Sequence, residues 1–490
     1  MTRAVKIPFD NAFCRLDSAL FAYQAPTPVK NPGLIRVNDA LAALLGIDPL
    51  ELKSEEGVAA LAGNVLPEGA EPIATAYAGH QFGNWNPQLG DGRAILLGEV
   101  IGKDGERYDI QLKGAGVTPF SRMGDGRSPL GPVLREYVVS EGMAVLGVPT
   151  TRSLAAVTTG EKVIRDEILP GAILTRIAKS HIRVGTFQFF ASRQQRETLT
   201  ILADHVIDRH YPDAKNSDIV YLELLNCVIR AQAKLIAHWQ SLGFIHGVMN
   251  TDNMLVSGET VDYGPCAFME EYHPGMVFSS IDRQGRYAYG NQPAIAQWNL
   301  AWLAQSLLPL IHDDEDKSIE LVQQALDNFK PLFTTEYQQR MCQKIGIDSA
   351  SAEAMKLLND FLPLLQANNI DFTLGFRVLA DYLDETHTIR TFYALPGEFD
   401  DWIAKWKAYL SAKGSNLEEV ANRMRQVNPV YIPRNHQIEV AIQAGNRGDF
   451  EPFHQLVDRL SNPFDFDPTH TQYALPATDA ERVTQTFCGT

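Results

Sequence analysis

The stretch His246-Gly-Val-Met-Asn-Thr-Asp-Asn253 is followed by Met254-Leu-Val256 and then by Asp262-Tyr-Gly264. This pattern predicts a loop, a short strand and a second loop, which bring three oxygen-bearing side chains close together: Asp252, Asn253 and Asp262. Carboxylate and amide oxygens, with no thiol or imidazole among them, suit a hard divalent cation that takes substrate phosphates as its other ligands. The stretch therefore predicts a site for Mg²⁺ or Mn²⁺ bound together with a phosphate-bearing ligand.

The same stretch follows the spacing of two protein-kinase motifs. In kinases a metal-binding Asn follows the Asp of a His-Arg-Asp triplet by five residues, and an Asp-Phe-Gly triplet comes later. His246 and Asn253 keep this spacing, but Val248 stands where the kinase catalytic Asp would be. The pattern favours a kinase-type metal site without the kinase base at its usual position.

The composition limits the class of protein. The chain has 490 residues, of which 45% are hydrophobic, and its formal net charge is −16. This hydrophobic fraction supports a packed core, either in one large catalytic domain with an appended lobe or in two to four domains. The negative charge disfavours partners such as nucleic acid or an anionic membrane surface. An anionic ligand therefore needs a locally basic pocket.

Hydrophobic runs and cysteines further limit which kind of protein this sequence can encode. The most apolar run, 301–311, is shorter than the roughly 18 residues that a membrane helix needs, and the N-terminus shows no signal-peptide pattern. The five cysteines form no Cys-x-x-Cys pair, which disfavours structural zinc and a disulfide scaffold. We expect a cytoplasmic protein that does not bind membranes.

Two predicted strands lead to the first candidates for phosphate binding. The strands cover 94–100 and 107–113, and Lys113 ends the second, where kinases place the Lys that contacts nucleotide phosphates. The preceding Gly90-Asp-Gly-Arg93 is either a β-hairpin turn or a phosphate loop, since glycine lets backbone N–H groups approach a phosphate closely. A second glycine-rich loop is Gly124-Asp-Gly-Arg127.

A helix is predicted from Ser128, as N-cap, to about residue 146, because the following Pro129 fits the first helical position. Its Glu136 is the candidate partner of Lys113, and Glu141 is the rival because it lies closer to the apolar stripe. The alternative for both carboxylates is a solvated charge on the surface.

Two arginines lie beside the next predicted strands, which cover 151–159 and 172–177. Arg176 falls at the end of the second strand and Arg183 follows seven residues later. Arginine makes bidentate contacts with phosphate, whereas a single surface arginine is more often simply solvated. Both interpretations stay open for this pair.

The rest of the chain is predicted to be mostly helical to about residue 460. A long helix over 217–242 stops at Gly243 and leads directly into the His246 loop. The apolar stripe within 397–412, which includes Trp402 and Trp406, is typical of a helix that faces the core rather than of a cofactor site.

Taken together, these motifs resemble those of the selenoprotein O family, the kinase-like protein adenylyltransferases, in a form with cysteine. The N-terminal motifs that carry the resemblance are Tyr77-Ala-Gly-His-Gln-Phe-Gly83, Pro87-Gln-Leu-Gly-Asp-Gly-Arg93, Gln111-Leu-Lys-Gly-Ala-Gly116, Thr118-Pro-Phe-Ser-Arg122, Gly124-Asp-Gly-Arg127 and Leu134-Arg-Glu136. The later ones are His246-Gly247, Asn250-Thr-Asp-Asn253, Asp262-Tyr-Gly-Pro265, Gly285-Arg-Tyr-Ala-Tyr289 and Asn428-Pro-Val-Tyr-Ile-Pro-Arg434.

The resemblance implies an α+β fold of the bilobal, protein-kinase-like type, with a β-rich N-lobe, a helical C-lobe and extra helical C-terminal elements. On this sequence it implies an N-terminal extension over 1–75 and an N-lobe over 76–178 with the Gly-rich loops and Lys113. The helical C-lobe, with the catalytic and metal loops and a C-terminal tail, then covers 179–490.

It also implies that ATP or UTP binds reversed relative to kinases, so that AMP or UMP passes to Ser, Thr or Tyr hydroxyls of protein partners and pyrophosphate leaves. The nucleotide contacts it implies are Gly90, Gly92, Arg93, Lys113, Asp125, Gly126, Arg176, Arg183 and Asp262. The implied metal ligands are Asn253 and Asp262, and the implied proton acceptor is Asp252. Cationic side chains would neutralise the leaving pyrophosphate.

The C-terminal region suggests a redox hypothesis. Cys488 stands third from the C-terminus, where some family members carry selenocysteine, and Cys266 follows the Asp-Tyr-Gly loop by one Pro. The hypothesis is a reversible disulfide between them that tethers the tail over the active site. The alternative is two unpaired thiols.

Two other functions compete with nucleotide transfer. The first is γ-phosphoryl transfer to a protein or small molecule, and Val248 counts against it. The second is a nucleotide-binding pseudokinase scaffold, and the presence of Lys113, Asn253 and Asp262 counts against that.

Overall fold

The computed structural model describes residues 5–384, 386 and 388–486. The N-terminal region is built around an antiparallel sheet, and the C-terminal part is helical. The strands are β1 (Phe21–Tyr23), β2 (Gly33–Val37), β3 (Ile73–Thr75), β4 (Gly79–Gln81), β5 (Asn84–Asn86), β6 (Ala94–Ile101), β7 (Arg107–Lys113), β8 (Ser128–Pro129), β9 (Arg152–Ile164), β10 (Ile168–Ala178), β11 (Phe244–Ile245) and β12 (Ala267–Phe268).

The main sheet has the strand order β1-β3-β6-β7-β10-β9-β2, and β8 pairs with β10. All of its pairings are antiparallel. The strands predicted over 94–100 and 107–113 are confirmed as β6 and β7, in which Ala94 pairs with Lys113. The residues before 76 supply β1 and β2, so both edges of the sheet come from this N-terminal segment.

A separate hairpin, formed by β4 and β5, covers residues 79–86 and is called the 79–86 hairpin below. Gln81 pairs with Asn84 across a two-residue turn. The turn residues Phe82 and Gly83 have φ values of 52° and 83°. Positive φ at both positions matches the right-handed twist of the strands and gives a tight hairpin.

The helices are α1 (Asp39–Leu44), α2 (Pro49–Lys53), α3 (Glu55–Leu61), α4 (Leu130–Val145), α5 (Val184–Ala191), α6 (Arg196–His210), α7 (Val220–Leu242), α8 (Gln292–Ile311), α9 (Glu315–Asp327), α10 (Phe329–Lys344), α11 (Ala352–Ala367), α12 (Phe372–Arg377), α13 (Leu379–Asp384), α14 (Asp400–Ala412), α15 (Leu417–Val427), α16 (Asn435–Asn446) and α17 (Glu451–Leu460). The helix predicted over 217–242 is α7, which ends as predicted but begins at Val220 rather than at residue 217. Gly243 ends it in the left-handed conformation with φ 71°. None of the helices in the described residues is long and apolar enough to span a bilayer.

The predicted start of α4 is wrong by one residue, since the N-cap is Pro129 rather than Ser128. Ser128 does not cap the helix, because its backbone belongs to β8 and pairs with Ala172. The Ser128 hydroxyl donates to the Pro129 carbonyl instead, and the helix begins at Leu130. Ser128, which the local pattern predicts as the N-cap, is therefore a strand residue instead.

Alternate side chains of the sheet pack into two cores. Ile95 and Leu97 point into a smaller core shared with α1, while Leu96 points into the larger core with Leu134 of α4. The larger core also includes Trp402 and Trp406 of α14, which confirms the core-facing interpretation of that stripe. Packing of α4 against the sheet brings Glu136 beside Lys113.

The segment 246–266 is closed at its base by β11 and β12, which pair with each other. The short strand predicted at 254–256 does not form. Thr251–Asn253 is a 3₁₀ turn, and Leu255 makes only an isolated bridge with Arg183. Asp252 and Asn253 therefore belong to a 3₁₀ turn, and no β-strand directly follows them.

Candidate active site

Lys113 and Glu136 form a buried ion pair at the end of β7. Lys113 Nζ donates to Glu136 Oε2 at 2.5 Å, and Arg176 Nε donates to the other carboxylate oxygen at 2.7 Å. The rival carboxylate, Glu141, accepts from Arg152 Nε at 2.9 Å and Nη2 at 2.7 Å. Burial opposes ionisation of Glu136, but Arg176 and Lys113 together lower the pKa of its carboxyl. The carboxylate therefore stays charged and fixes both cations.

Asp262 joins this cluster from the opposite side. Its Oδ1 accepts from Arg176 Nη2 at 2.7 Å and lies 3.5 Å from Lys113 Nζ, while Oδ2 accepts from Arg183 Nη1 at 2.7 Å. Burial opposes ionisation, yet the three cations hold the pKa of Asp262 well below its usual value. Its φ of 64° is left-handed, which is uncommon for a residue other than glycine and turns the side chain into the cluster.

Asp252 lies next to the cluster but has a different environment. One nitrogen, Nη1 of Arg183, donates both to the Asp252 backbone carbonyl at 2.5 Å and to Asp262 Oδ2. In the side chain, Oδ2 accepts from Gln81 Nε2 at 3.0 Å, and Oδ1 is buried with no hydrogen-bond partner among the described residues. Burial raises the pKa of Asp252 to about 6. The structure thus brings Asp252 and Asp262 together through one guanidinium.

Hydrogen bonds to backbone groups fix the orientation of the Asn253 and His246 side chains. The Asn253 amide nitrogen donates to the Val248 carbonyl at 3.0 Å, which leaves the amide oxygen as the group available to a ligand. His246 is fully buried; its Nε2 bonds the Val261 carbonyl at 2.8 Å, and its Nδ1 accepts from the Val248 N–H. Burial lowers the pKa of His246. The neutral imidazole therefore ties the 246–253 loop to the residue before Asp262.

The two glycine-rich loops pack against the segment that follows Lys113. A Cβ on Gly90, which has a φ of 131°, would stand 2.4 Å from the Phe120 ring, and one on Gly92 would stand 2.9 Å from the Phe120 carbonyl oxygen. A Cβ on Gly126 would stand 2.1 Å from Gly116. The 90–93 loop joins β5 to β6, and these strands do not pair with each other, so the loop is not the β-hairpin turn of the alternative prediction. Its Arg93 carbonyl accepts from the N–H of the residue after Lys113 at 2.7 Å.

Asp125, a predicted nucleotide residue, stands apart from the buried cluster. Its carboxylate pairs with Arg165, with both N–O distances at 2.9 Å, and is partly exposed. No contact links it to Lys113 or Asp262 among the described residues.

The donor set fits a divalent ion that shares its coordination with phosphates. No group of three or more His, Cys, Asp or Glu side chains in the described part of the chain forms an all-protein metal cage. The candidate oxygens are the Asn253 amide and the Asp262 carboxylate, although both Asp262 oxygens accept from arginines in this structure. Mg²⁺ or Mn²⁺ sites on nucleotides need only one or two such protein ligands. The residues therefore fit a metal that arrives with the nucleotide.

Comparison with known proteins identifies the family. The family described as "Protein adenylyltransferase SelO" matches residues 3–461. The chain belongs to the SelO family. It is 56% identical to the protein nucleotidyltransferase YdiU of Rhodopseudomonas palustris (strain BisB5) over 490 residues, 99% of this chain and 100% of the relative. The YdiU of Bradyrhizobium sp. (strain BTAi1 / ATCC BAA-1182) is 55% identical over 489 residues, 99% of this chain and 100% of the relative.

Two residues near the SelO-family motifs were missed as parts of the site. Gln81 reaches the Asp252 carboxylate, and Gln111 Oε1 accepts from Arg176 Nη1 at 3.3 Å. Both lie inside motifs of the family, and nothing else in the sequence points to a role for them in the site. Neither contact is local in sequence, so spacing and periodicity could not reveal it.

The tail approaches the segment next to Cys266. Thr486 Oγ1 donates to the Pro265 carbonyl at 2.7 Å, and Thr486 N donates to the Phe278 carbonyl at 2.8 Å. Cys488, the other member of the hypothesised disulfide, lies outside the described residues.

Proposed function

We propose that this protein transfers AMP from ATP, or UMP from UTP, to Ser, Thr or Tyr hydroxyls of other proteins with release of pyrophosphate. The observation that carries the proposal is the place of Asp252. Asp252 has a buried carboxylate and adjoins the cationic cluster, because Arg183 donates to its backbone carbonyl. The side chain of Val248, at the kinase base position, cannot accept a proton. Membership of the SelO family supports the same reaction.

The proposed fold relationship is a protein-kinase-like one, with 76–178 as N-lobe and 179–490 as C-lobe. The ion pair between Lys113 of β7 and Glu136 of α4 supports this proposal, because kinases pair a strand Lys with a helix Glu in the same way. The nucleotide is proposed to bind reversed relative to kinases, as the family resemblance implies, with its α-phosphorus turned toward the hydroxyl.

Lys113, Arg176 and Arg183 are proposed to neutralise the leaving pyrophosphate. In the structure their charges converge on Asp262. Their amino and guanidinium donors are held in place by Glu136 and Asp262 before any ligand arrives, so little reorganisation is needed when negative charge develops. Asp125, Gly90, Gly92, Arg93 and Gly126 are proposed to hold the rest of the nucleotide.

Asn253 and Asp262 are proposed to hold Mg²⁺ or Mn²⁺, which when bound would supply Lewis-acid stabilisation at the phosphates. Asp262 would then exchange part of its contact with the cations for the metal. The amide oxygen of Asn253 is already oriented, because Val248 fixes the nitrogen.

Asp252 is proposed to accept the proton of the attacking hydroxyl. The hydroxyl oxygen bonds to the α-phosphorus, the bond from that phosphorus to the bridging oxygen breaks, and the proton moves to the carboxylate. A pKa raised to about 6 by burial suits a base that works near neutral pH.

Nucleotide labelled at either the α- or the γ-phosphate tests the proposal. The protein is incubated with Mg²⁺ or Mn²⁺, labelled ATP and casein as a hydroxyl-bearing acceptor, and label is followed into casein and into the enzyme itself. Label from the α position only, together with free pyrophosphate, is expected. Label from the γ position only would establish a kinase instead, and absence of both would favour a nucleotide-binding scaffold.

A further inference from the structure

The 79–86 hairpin lies directly on the catalytic loop. His80 N–H donates to Thr251 Oγ1 at 2.7 Å, and Phe82 N–H donates to Asn250 Oδ1 at 3.1 Å. These bonds join residues separated by about 170 positions in sequence. They hold the hairpin against the loop that carries Asp252.

Gln81 fixes an N–H donor on the carboxylate of Asp252. Its Nε2 donates to Oδ2 at 3.0 Å, and Asp252 is only 6% exposed. The second oxygen, Oδ1, is covered by Gly79, where an added Cβ would stand 2.6 Å away. Both oxygens of the proposed base are therefore shielded by the hairpin in this conformation.

The hydroxyl of an acceptor protein must come within hydrogen-bond distance of the base, about 2.6–3.2 Å. The amide of Gln81 now stands at such a distance from Oδ2. We propose that the Gln81 amide occupies the subsite that the acceptor hydroxyl must take. The 79–86 hairpin then has to move away from Asp252 before a Ser, Thr or Tyr hydroxyl of another protein can replace the amide. This inference rests on the proposed function, because it takes Asp252 as the proton acceptor.

The nucleotide side of the site does not depend on this contact. Lys113 and Arg176 bind Asp262 and Glu136, and neither of them contacts Gln81 among the described residues. Loss of the Gln81 amide should therefore change the reaction with the acceptor and leave nucleotide affinity unchanged. A hydrogen bond to a charged group shifts an equilibrium by roughly tenfold or more.

The test compares Gln81→Ala with wild type in the full chain. Transfer from α-labelled ATP to casein is measured, together with transfer to water, which yields AMP and pyrophosphate and needs no protein acceptor. The proposal predicts that Gln81→Ala raises both rates about tenfold, with the KM for ATP unchanged. Gln81→Leu removes the donor while keeping most of the side-chain volume and should act in the same direction.

A matched control is Gln88→Ala, since Gln88 is exposed and lies just beyond the hairpin without contacting Asp252. Its rates should equal those of wild type. Unchanged or lower rates in both Gln81 variants would overturn the inference, and lower kcat with unchanged KM would make Gln81 a positioning residue for the base. The proposed function fails separately, if Asp252→Ala keeps full α-label transfer or if the label comes from the γ-phosphate.

Discussion

At the scale of single residues, Glu136 holds the buried cations in their places. It bonds both Lys113 and Arg176, and all three side chains are almost fully buried. Glu136→Gln leaves these cations without a full countercharge, so we expect a loss of about 3 kcal/mol in the free energy of unfolding and weaker ATP binding. Urea unfolding and ATP titration measure the two effects.

Glu141→Gln is the control on the same helix, because Glu141 pairs with Arg152 instead. It should lower stability while nucleotide affinity stays at the wild-type level. Equal losses of ATP affinity in the two variants would mean that the Lys113 partnership has no special role.

Lys344 gives a pH-dependent prediction at the same scale. Burial lowers the pKa of this lysine to about 7, from an ordinary value of 10.5, although its ammonium lies 4.6 Å from the Phe376 ring centre. Between those two values the unfolded chain binds more protons than the folded one, so this group makes stability rise with pH from about 7 toward 10.5. Below pH 7 the folded chain must bury the charged Lys344 ammonium, which lowers its stability.

Lys344→Met removes that dependence and should stabilise the protein at pH 7. The free energy of unfolding is measured at pH 7 and pH 9, and wild type should gain about 2 kcal/mol more than the variant over this interval. The same gain in both proteins would show that Lys344 keeps an ordinary pKa in the folded state.

At the scale of elements, the end of α7 determines how the chain enters the catalytic loop. Gly243 has a φ of 71°, and an added Cβ would stand 2.8 Å from the Phe372 ring. Gly414 has nearly the same φ, 72°, but an added Cβ there would meet nothing within 4 Å. The pair separates the cost of backbone strain from the cost of crowding.

Gly414→Ala should cost about 1 kcal/mol for the left-handed conformation alone, whereas Gly243→Ala should cost about 2–4 kcal/mol because crowding adds to it. Chemical denaturation gives both values. Equal losses would indicate that Phe372 moves aside freely.

Elements with strong local patterns could be predicted from the sequence. The strands β6 and β7 and the helix α7 follow apolar periodicity and end at clear signals, such as Gly243. The strand expected at 254–256 failed because a 3₁₀ turn and one bridge to Arg183 set that backbone instead. Local propensity does not contain such tertiary contacts.

In the candidate site too, features with a local sequence pattern could be predicted, and features that depend on tertiary contacts could not. Lys113, Arg176, Arg183 and Asp262 were named from motif and strand position, and they meet in one cluster. Glu136 was the candidate partner of Lys113, and the two side chains do pair. The sequence kept Glu141 as a rival because the choice depends on which face of α4 meets the sheet. The cover over Asp252 was not predictable, because it depends on docking of a distant hairpin.

At the scale of the whole molecule, the tail reaches the catalytic region. Thr486 bonds the carbonyl of Pro265, the residue before Cys266. We expect oxidation to join Cys266 and Cys488 and to change the rate of nucleotide transfer. Peptide mapping of oxidised and reduced protein checks the link, and Cys488→Ser is the control that should abolish any redox response. Oxidised protein with neither cysteine linked would contradict the hypothesis.

The central claim is that the base has moved along the loop from position 248 to Asp252. The most direct measurement is the rate of α-label transfer by Asp252→Asn, taken together with its ATP affinity. Asn keeps the size of the side chain but cannot accept a proton, so transfer should fall at least a hundredfold while ATP affinity stays within a few fold of wild type. A variant that transfers AMP at the wild-type rate would contradict the account.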